Sequence, residues 1–231
     1  MTAIAGLCFD KDGTLFDFAA TWEAWAHAFL MRIAEGDVAR ATRLGEVIEF
    51  DLAQRKFAPT SLVIAGTAGE VADALHPHLG HLSRAGLLDI LNDEAEKAPQ
   101  MPAVPLAPLL TELKGRGLAV GVATNDAEGP AQAHLAAAGV IHLFDFVAGY
   151  DSGHGGKPAP GQLLAFAAHA GIAPEAIAMI GDSTHDLRAG RAAGMRTVGV
   201  LTGPATRAEL APLADAVLPD IGHLPGWLES L

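Results

Sequence analysis

Apolar positions recur along the chain with two different periods, and the change of period marks a change of architecture. Ile4 to Phe9 is a short, nearly continuous apolar run that stops at Asp10. Such a run reads as a strand buried on both faces, as in a parallel sheet. Gly13 just beyond it permits an unusual backbone angle. From Phe18 the pattern turns helical. Phe18, Trp22, Trp25, Phe29 and Ile33 fall on one stripe of a long amphipathic helix ending near Gly36. A second helix is expected over Val38–Ala53, with others over Ala68–Leu75 and Arg84–Lys97. Leu62-Val63-Ile64 is too short for a buried strand, so the stretch from about 17 to 100 reads as helical throughout.

Pro99, Pro102, Pro105 and Pro108 then crowd ten residues and mark a linker or re-entry point. Beyond them helix and strand alternate. Helices are expected at Leu106–Lys114, Gln132–Ala138, Gln162–Ala170 and Leu187–Ala193. Each precedes a strand, at Leu118–Ala123, Phe144–Ala148, Ala176–Ile180 and Thr197–Leu201, and a short Ala216–Leu218 segment follows. Alternation of this kind implies an α/β fold with a doubly wound parallel sheet. The expected organisation is an α/β core of residues 1–16 and 103–231, interrupted by a helical insertion of 17–102.

Composition narrows the function classes. The 231 residues are 50% hydrophobic and 18% charged, which is enough apolar content for a buried core. The net charge of −12 disfavours non-specific binding to nucleic acid or anionic membranes. It does not oppose a small phosphorylated substrate, because a metal or lysine can invert the charge within one pocket. The single cysteine, Cys8, lies in an apolar run and reads as a small buried hydrophobe in a reducing compartment. No stretch of about 18 apolar residues predicts a membrane helix. Met1-Thr2-Ala3-Ile4-Ala5-Gly6-Leu7 lacks the basic start of a signal peptide, so a soluble, cytoplasmic protein is expected.

Ligands of open parallel sheets bind beyond the carboxyl ends of the strands. The first predicted strand ends in Asp10-Lys11-Asp12-Gly13-Thr14 and the second in Thr124-Asn125-Asp126. Gly155-Gly156-Lys157-Pro158 follows the third, and the fourth ends in Gly181-Asp182-Ser183-Thr184-His185-Asp186. Carboxylates converging on one small volume repel unless protonated or bridged by a cation. Oxygen ligands in that number favour Mg²⁺, which commonly shares a site with phosphate. A nearby lysine and hydroxyl can hold the remaining phosphoryl oxygens. An aspartate can also serve as the nucleophile, and a second one two residues on can protonate the leaving oxygen and then activate water.

These four strings, in this order, resemble the motifs of the haloacid dehalogenase superfamily, closest to its phosphoglycolate phosphatase-like branch, and the helical insertion resembles that superfamily's small cap. The resemblance implies that Asp10 is the nucleophile and a Mg²⁺ ligand. It makes Asp12 the general acid/base, with its backbone carbonyl also on the metal. Thr124 and Asn125 would bind the phosphoryl group, and Lys157 would steady it. Asp182 would ligate Mg²⁺ directly, with Asp186 a supporting or water-mediated ligand. Lys11 departs from the more common apolar residue between the two aspartates. Asp12 argues against the true dehalogenases and the phosphonoacetaldehyde-cleaving branch, which lack an acid there, and against a Schiff-base role for Lys56. The expected activity is Mg²⁺-dependent hydrolysis of a small organic phosphate monoester, with phosphoglycolate as the guess. The alternatives are a phosphosugar mutase of the β-phosphoglucomutase type and a non-catalytic phospho-ligand-binding protein. Oligomeric state, monomer or homodimer, is left open.

Other features have plainer readings. Gly153-His154-Gly155-Gly156-Lys157 is not a P-loop, since Pro158 stands where the magnesium-binding hydroxyl belongs. His76, His78 and His81 read as a polar turn rather than a metal site, and His154 and His185 as solvent-facing. Trp22 and Trp25 read first as core and second as a substrate entrance. Arg55, Lys56 and Ser61 are candidates to reach a substrate carboxylate from the insertion, against a solvated loop.

Overall fold

The computed structural model describes residues 3–231, without the side chains of Ala19 and Ala20. The expectation for Met1 and Thr2 therefore lies outside the described residues. The first strand, β1 (Gly6–Phe9), is followed by helices α1 (Phe18–Ile33) and α2 (Val38–Val47), then two-residue strands β2 (Phe50–Asp51) and β3 (Lys56–Phe57). Helices α3 (Ala68–Leu75), α4 (Arg84–Glu96) and α5 (Leu106–Gly115) come next. Strand and helix then alternate as β4 (Ala119–Ala123), α6 (Glu128–Ala137), β5 (Phe146–Ala148), α7 (Gly161–Ala170), β6 (Ile177–Gly181), α8 (Thr184–Ala192) and β7 (Arg196–Val200). The described chain closes with α9 (Arg207–Leu210), β8 (Ala216–Leu218) and α10 (Leu224–Glu229).

Six strands form one parallel sheet in the order β5-β4-β1-β6-β7-β8. Strand β1 lies at its centre, with Gly6 opposite Ala119 on one side and Ile177 on the other. Its alternation serves two cores. Leu7 and Phe9 join a cluster with Leu109 and Leu110 of α5, whereas Cys8 joins Phe166 of α7 and Met179 on the opposite face. Burial on both faces explains why the strand is apolar at every position. Fully burying a side chain such as Phe9 contributes roughly 1.5–3 kcal/mol.

The predicted α1 stripe is buried at all five positions, from Phe18 to Ile33, within a third cluster built from residues of the 18–98 stretch. The chain leaves and re-enters the sheet region at one point. Phe16 and Pro102 form an antiparallel bridge, Asp17 N–H donates to Met101 O at 2.8 Å, and Ala103 N–H to Leu15 O at 2.9 Å.

One expectation fails in this stretch. The second helix does not run to Ala53 but stops at Val47, and a small hairpin of β2 and β3 replaces its last turns. Glu49 adopts a left-handed backbone (φ +56°), which ends the helical path. The Asp51 carboxylate then accepts from Ala53 N–H at 2.9 Å and Gln54 N–H at 2.8 Å, and Arg55 is left-handed as well. Phe50 and Phe57 close the hairpin with ring centroids 4.8 Å apart. Turn chemistry overrides the helical period here.

Candidate active site

Four loops at the carboxyl ends of β1, β4, β5 and β6 converge on one cavity. Asp10 follows β1, and its N–H donates to Ile180 O of β6 at 2.8 Å, so two adjacent strands fix its position. The turn after it depends on Gly13 at φ +78°, where a Cβ would overlap the Asp182 carboxylate. Asp182 itself follows β6. Ser183 then caps α8 reciprocally: its Oγ accepts from Asp186 N–H at 3.3 Å, and Asp186 Oδ2 accepts from Ser183 N–H at 3.0 Å. That cap carries Asp186 back over the strand end and starts the helix at Thr184, three residues before the expected Leu187.

Asp10, Asp182 and Asp186 are buried, and one carboxylate oxygen from each lies within 4.8 Å of the others. The Lys157 ammonium reaches into the group, 2.5 Å from Asp10 Oδ1 and 2.6 Å from Asp186 Oδ1. Three carboxylates thus face one ammonium in a region sheltered from water. Burial pushes the Asp10 carboxyl up to about 7; Lys157 opposes this, while Asp186 and Asp12 add to it. Burial, Asp186 and Asp10 likewise hold Asp182 well above the usual carboxylate range. Burial disfavours the charge on Lys157, but Asp10 and Asp186 outweigh it and raise its pKa. An excess of crowded, buried oxygen donors fits a small divalent cation of the Mg²⁺ type, which would relieve this repulsion.

Asp12 lines the same cavity, but its carboxylate is not part of that trio. It accepts from Lys11 Nζ at 2.7 Å. Lys11 is fully buried, a placement that its position between two acids did not reveal. Its ammonium also bonds His134 Nδ1 at 3.0 Å and lies 3.4 Å from Asp126 Oδ2 and 5.5 Å from the centre of the Trp22 ring. His134 Nε2 is 2.7 Å from Ala95 O in α4. A carbonyl can only accept, so Nε2 carries the hydrogen and Nδ1 accepts from the lysine. Burial and Lys11 push His134 down to about 4, which keeps the ring neutral. Burial raises Asp126 to about 6 against the pull of Lys11. His134, in a helix of unremarkable pattern, gave no signal in the sequence.

Thr124 and Asn125 stand at the end of β4. Thr124 Oγ1 accepts from Asp126 N–H at 3.0 Å, leaving its own hydrogen to donate. Asn125 lines the cavity, and both of its Nδ2 hydrogens go to backbone carbonyls. One bond reaches Ala65 O at 2.8 Å and the other Lys157 O at 2.9 Å, while Asn125 Oδ1 accepts from Lys157 N–H at 2.8 Å. Its side chain ties the Lys157 loop to the 62–67 segment.

Other candidates separate cleanly. Trp22, Trp25 and His185 line the cavity. Arg55 and Lys56 are exposed on the β2–β3 hairpin away from it, and Ser61 is buried with its hydroxyl on Ile48 O at 2.6 Å. His81 contacts Arg40 and Glu35, and the described residues contain no histidine metal cluster. Cys8 is buried, and burial pushes its thiol up to about 12.

A family model for haloacid dehalogenase-like hydrolases matches residues 4–194. Among curated proteins, a probable phosphatase, IndB, of Dickeya dadantii is 38% identical over 111 residues, 48% of this chain and 48% of that protein. A phosphoglycolate phosphatase of Nitrosococcus oceani is 43% identical over 89 residues, 38% of this chain and 40% of that protein. The match therefore spans about half or less of the length of those relatives. The crystal structure of a predicted phosphoglycolate phosphatase from Haemophilus somnus 129PT superposes with a TM-score of 0.75 at 20% identity, covering 98% of this chain and 99% of that one.

Proposed function

Because the chain belongs to the haloacid dehalogenase-like hydrolase family, we propose that it is a phosphatase hydrolysing small organic phosphate monoesters through an aspartyl-phosphate on Asp10. The observation that carries this reading is the buried cluster of Asp10, Asp182 and Asp186 around Lys157. One Asp10 oxygen is fixed by Lys157, which sets the aim of the other at a phosphorus atom entering the cavity. Attack forms the Asp10 Oδ–P bond and breaks the ester P–O bond. Asp12 protonates the departing oxygen, then takes a proton from the water that cleaves the acyl phosphate and regenerates Asp10. The Lys157 ammonium and the Thr124 hydroxyl hold the phosphoryl oxygens as charge shifts between them.

Mg²⁺ would be held by Asp10, Asp182 and the Asp12 backbone carbonyl, and when bound it supplies charge neutralisation at the phosphoryl oxygens. Asp186 spends Oδ1 on Lys157 and Oδ2 on Ser183, which suits a supporting place beside the metal. Asn125 contributes by fixing Lys157. Residues 17–102 form the cap over this site, seated through the Asn125–Ala65 and His134–Ala95 bonds, and exclude water during transfer. Among the described residues no helix is long and apolar enough to cross a membrane. With the net charge of −12, that is in keeping with a cytoplasmic enzyme acting on a small substrate rather than nucleic acid.

The test is phosphate release from a panel of small esters, with Mg²⁺ and with excess chelator. Metal-dependent release that disappears in Asp10→Asn, with the fold intact, is the expected result. Normal turnover by Asp10→Asn would end the proposal.

A further inference from the structure

The cavity has two unlike halves. On the sheet side are the carboxylates and His185, with Lys157, the one lysine or arginine lining the cavity among the described residues, already held by Asp10 and Asp186. Opposite them the wall is apolar and aromatic, formed by Phe18, Trp22, Trp25, Val63, Val71 and Leu91. Lys11 adds no cation to the space, because its ammonium is enclosed by Asp12, Asp126 and His134. Arg55 and Lys56, the basic residues that might have reached inward, lie off the cavity. Among the described residues, the buried side-chain polar atoms of this wall without a partner are neutral: the indole N–H groups of Trp22 and Trp25, and the amide oxygen of Asn92.

From this division we infer that the part of the substrate released as alcohol is uncharged and largely apolar, with a ring or branched carbon skeleton and at most a few neutral hydrogen-bonding groups. Phosphoglycolate, whose leaving alcohol carries a carboxylate, is then a poor substrate. The inference rests on the phosphatase reading and narrows it. The phosphoryl end of a substrate brings charge that a bound metal and Lys157 can meet. A second anion at the other end would exchange its hydration for aromatic faces, which carry negative potential, and for nearby Asp12 and Asp126. A desolvated carboxylate without a counter-charge is disfavoured in the transition state as much as in the ground state. A neutral skeleton gains from the same wall by leaving water, and a hydroxyl or carbonyl on it offers a partner to an indole N–H or to the Asn92 oxygen.

The experiment compares kcat/KM of the wild-type chain, with Mg²⁺, for benzyl phosphate, isobutyl phosphate, phosphoglycolate and phosphoglycolate methylated on its carboxyl group. The methyl ester keeps the leaving skeleton and removes its charge. Benzyl phosphate should exceed phosphoglycolate by roughly 100-fold, and esterification should raise phosphoglycolate turnover by about tenfold or more. Val63→Arg, which places a cation in the apolar wall, should shift the ratio toward phosphoglycolate by about tenfold. Phosphoglycolate turned over as well as benzyl phosphate, with no gain on esterification, would overturn the inference while leaving the phosphatase reading standing. No metal-dependent phosphate release from any of the four would overturn that reading, and the inference with it.

Discussion

Replacing Lys11 by methionine tests the buried network behind Asp12. Methionine keeps most of the volume, so packing changes little, but the ammonium is lost. In the wild type that ammonium lies 2.7 Å from Asp12 Oδ1, 3.0 Å from His134 Nδ1 and 3.4 Å from Asp126 Oδ2, with the lysine side chain fully buried and that of Asp126 4% exposed. Removing one partner of such a group leaves buried carboxylates without compensation, a loss of about 3–5 kcal/mol. The sign of the pH dependence follows from Asp126, already pushed up to about 6 by burial with the lysine in place. Without Lys11 that carboxyl rises further. A carboxyl whose folded pKa lies above its unfolded value favours the fold only when protonated, so the penalty grows as pH rises past the unfolded value near 4. Lys11→Met should therefore lose more stability at pH 8 than at pH 5 in urea unfolding. Adding Asp126→Asn should recover about 1–3 kcal/mol of the loss at pH 8, as a coupling between neighbours. A cost below about 1 kcal/mol, equal losses at both pH values, or strictly additive variants would refute the network as an electrostatic unit.

Burial and mutual repulsion raise Asp10 to about 7 and lift Asp182 as well, so the metal-free fold is favoured by protonation and loses that stabilisation as pH rises from about 4 to about 7. Mg²⁺ should accordingly raise the Tm more at pH 8 than at pH 5, and a pH-independent shift would count against the cluster as its site. In Gly203→Ala the new Cβ would overlap the Asp182 carboxylate. Mg²⁺ affinity, read by calorimetry, should fall about tenfold, with some loss of metal-free Tm from the overlap itself, and unaltered affinity would remove Asp182 from the metal site. Cys8, buried with its thiol at about 12, should resist a thiol reagent in the native protein and react fully after unfolding; rapid native labelling would contradict its burial.

Much of the fold was legible because burial leaves a periodic trace. The stripe from Phe18 to Ile33 and the unbroken apolar run of β1 each report which faces are covered, and both lie where the periods place them. The β2–β3 hairpin was not legible. It depends on the Asp51 carboxylate capturing two backbone N–H groups and on left-handed Glu49 and Arg55, a local competition that an apolar period cannot register. The apolar period alone begins α8 at Leu187, whereas the capping box of Ser183 and Asp186 starts it at Thr184. Of the strand-end candidates, Asp10, Asp12, Thr124, Asn125, Lys157, Asp182 and Asp186 all line one cavity. What each touches was less legible: Lys11 turned inward to His134, more than a hundred positions away in sequence, and Asn125 spent its amide on backbone carbonyls. Long-range pairings of this kind leave no spacing to read.

The central claim is that Asp10 carries the phosphoryl group and Asp12 moves the protons. Asp12→Asn, assayed with nitrophenyl phosphate, separates the two steps. Nitrophenolate departs without needing a proton, whereas hydrolysis of the acyl phosphate still needs a base. Rapid-quench kinetics with the ³²P-labelled ester should give a near-stoichiometric burst of nitrophenolate, slow turnover, and label retained on the Asp12→Asn chain, with no label on Asp10→Asn. Linear kinetics without a burst or bound label, or label persisting in Asp10→Asn, would contradict the account.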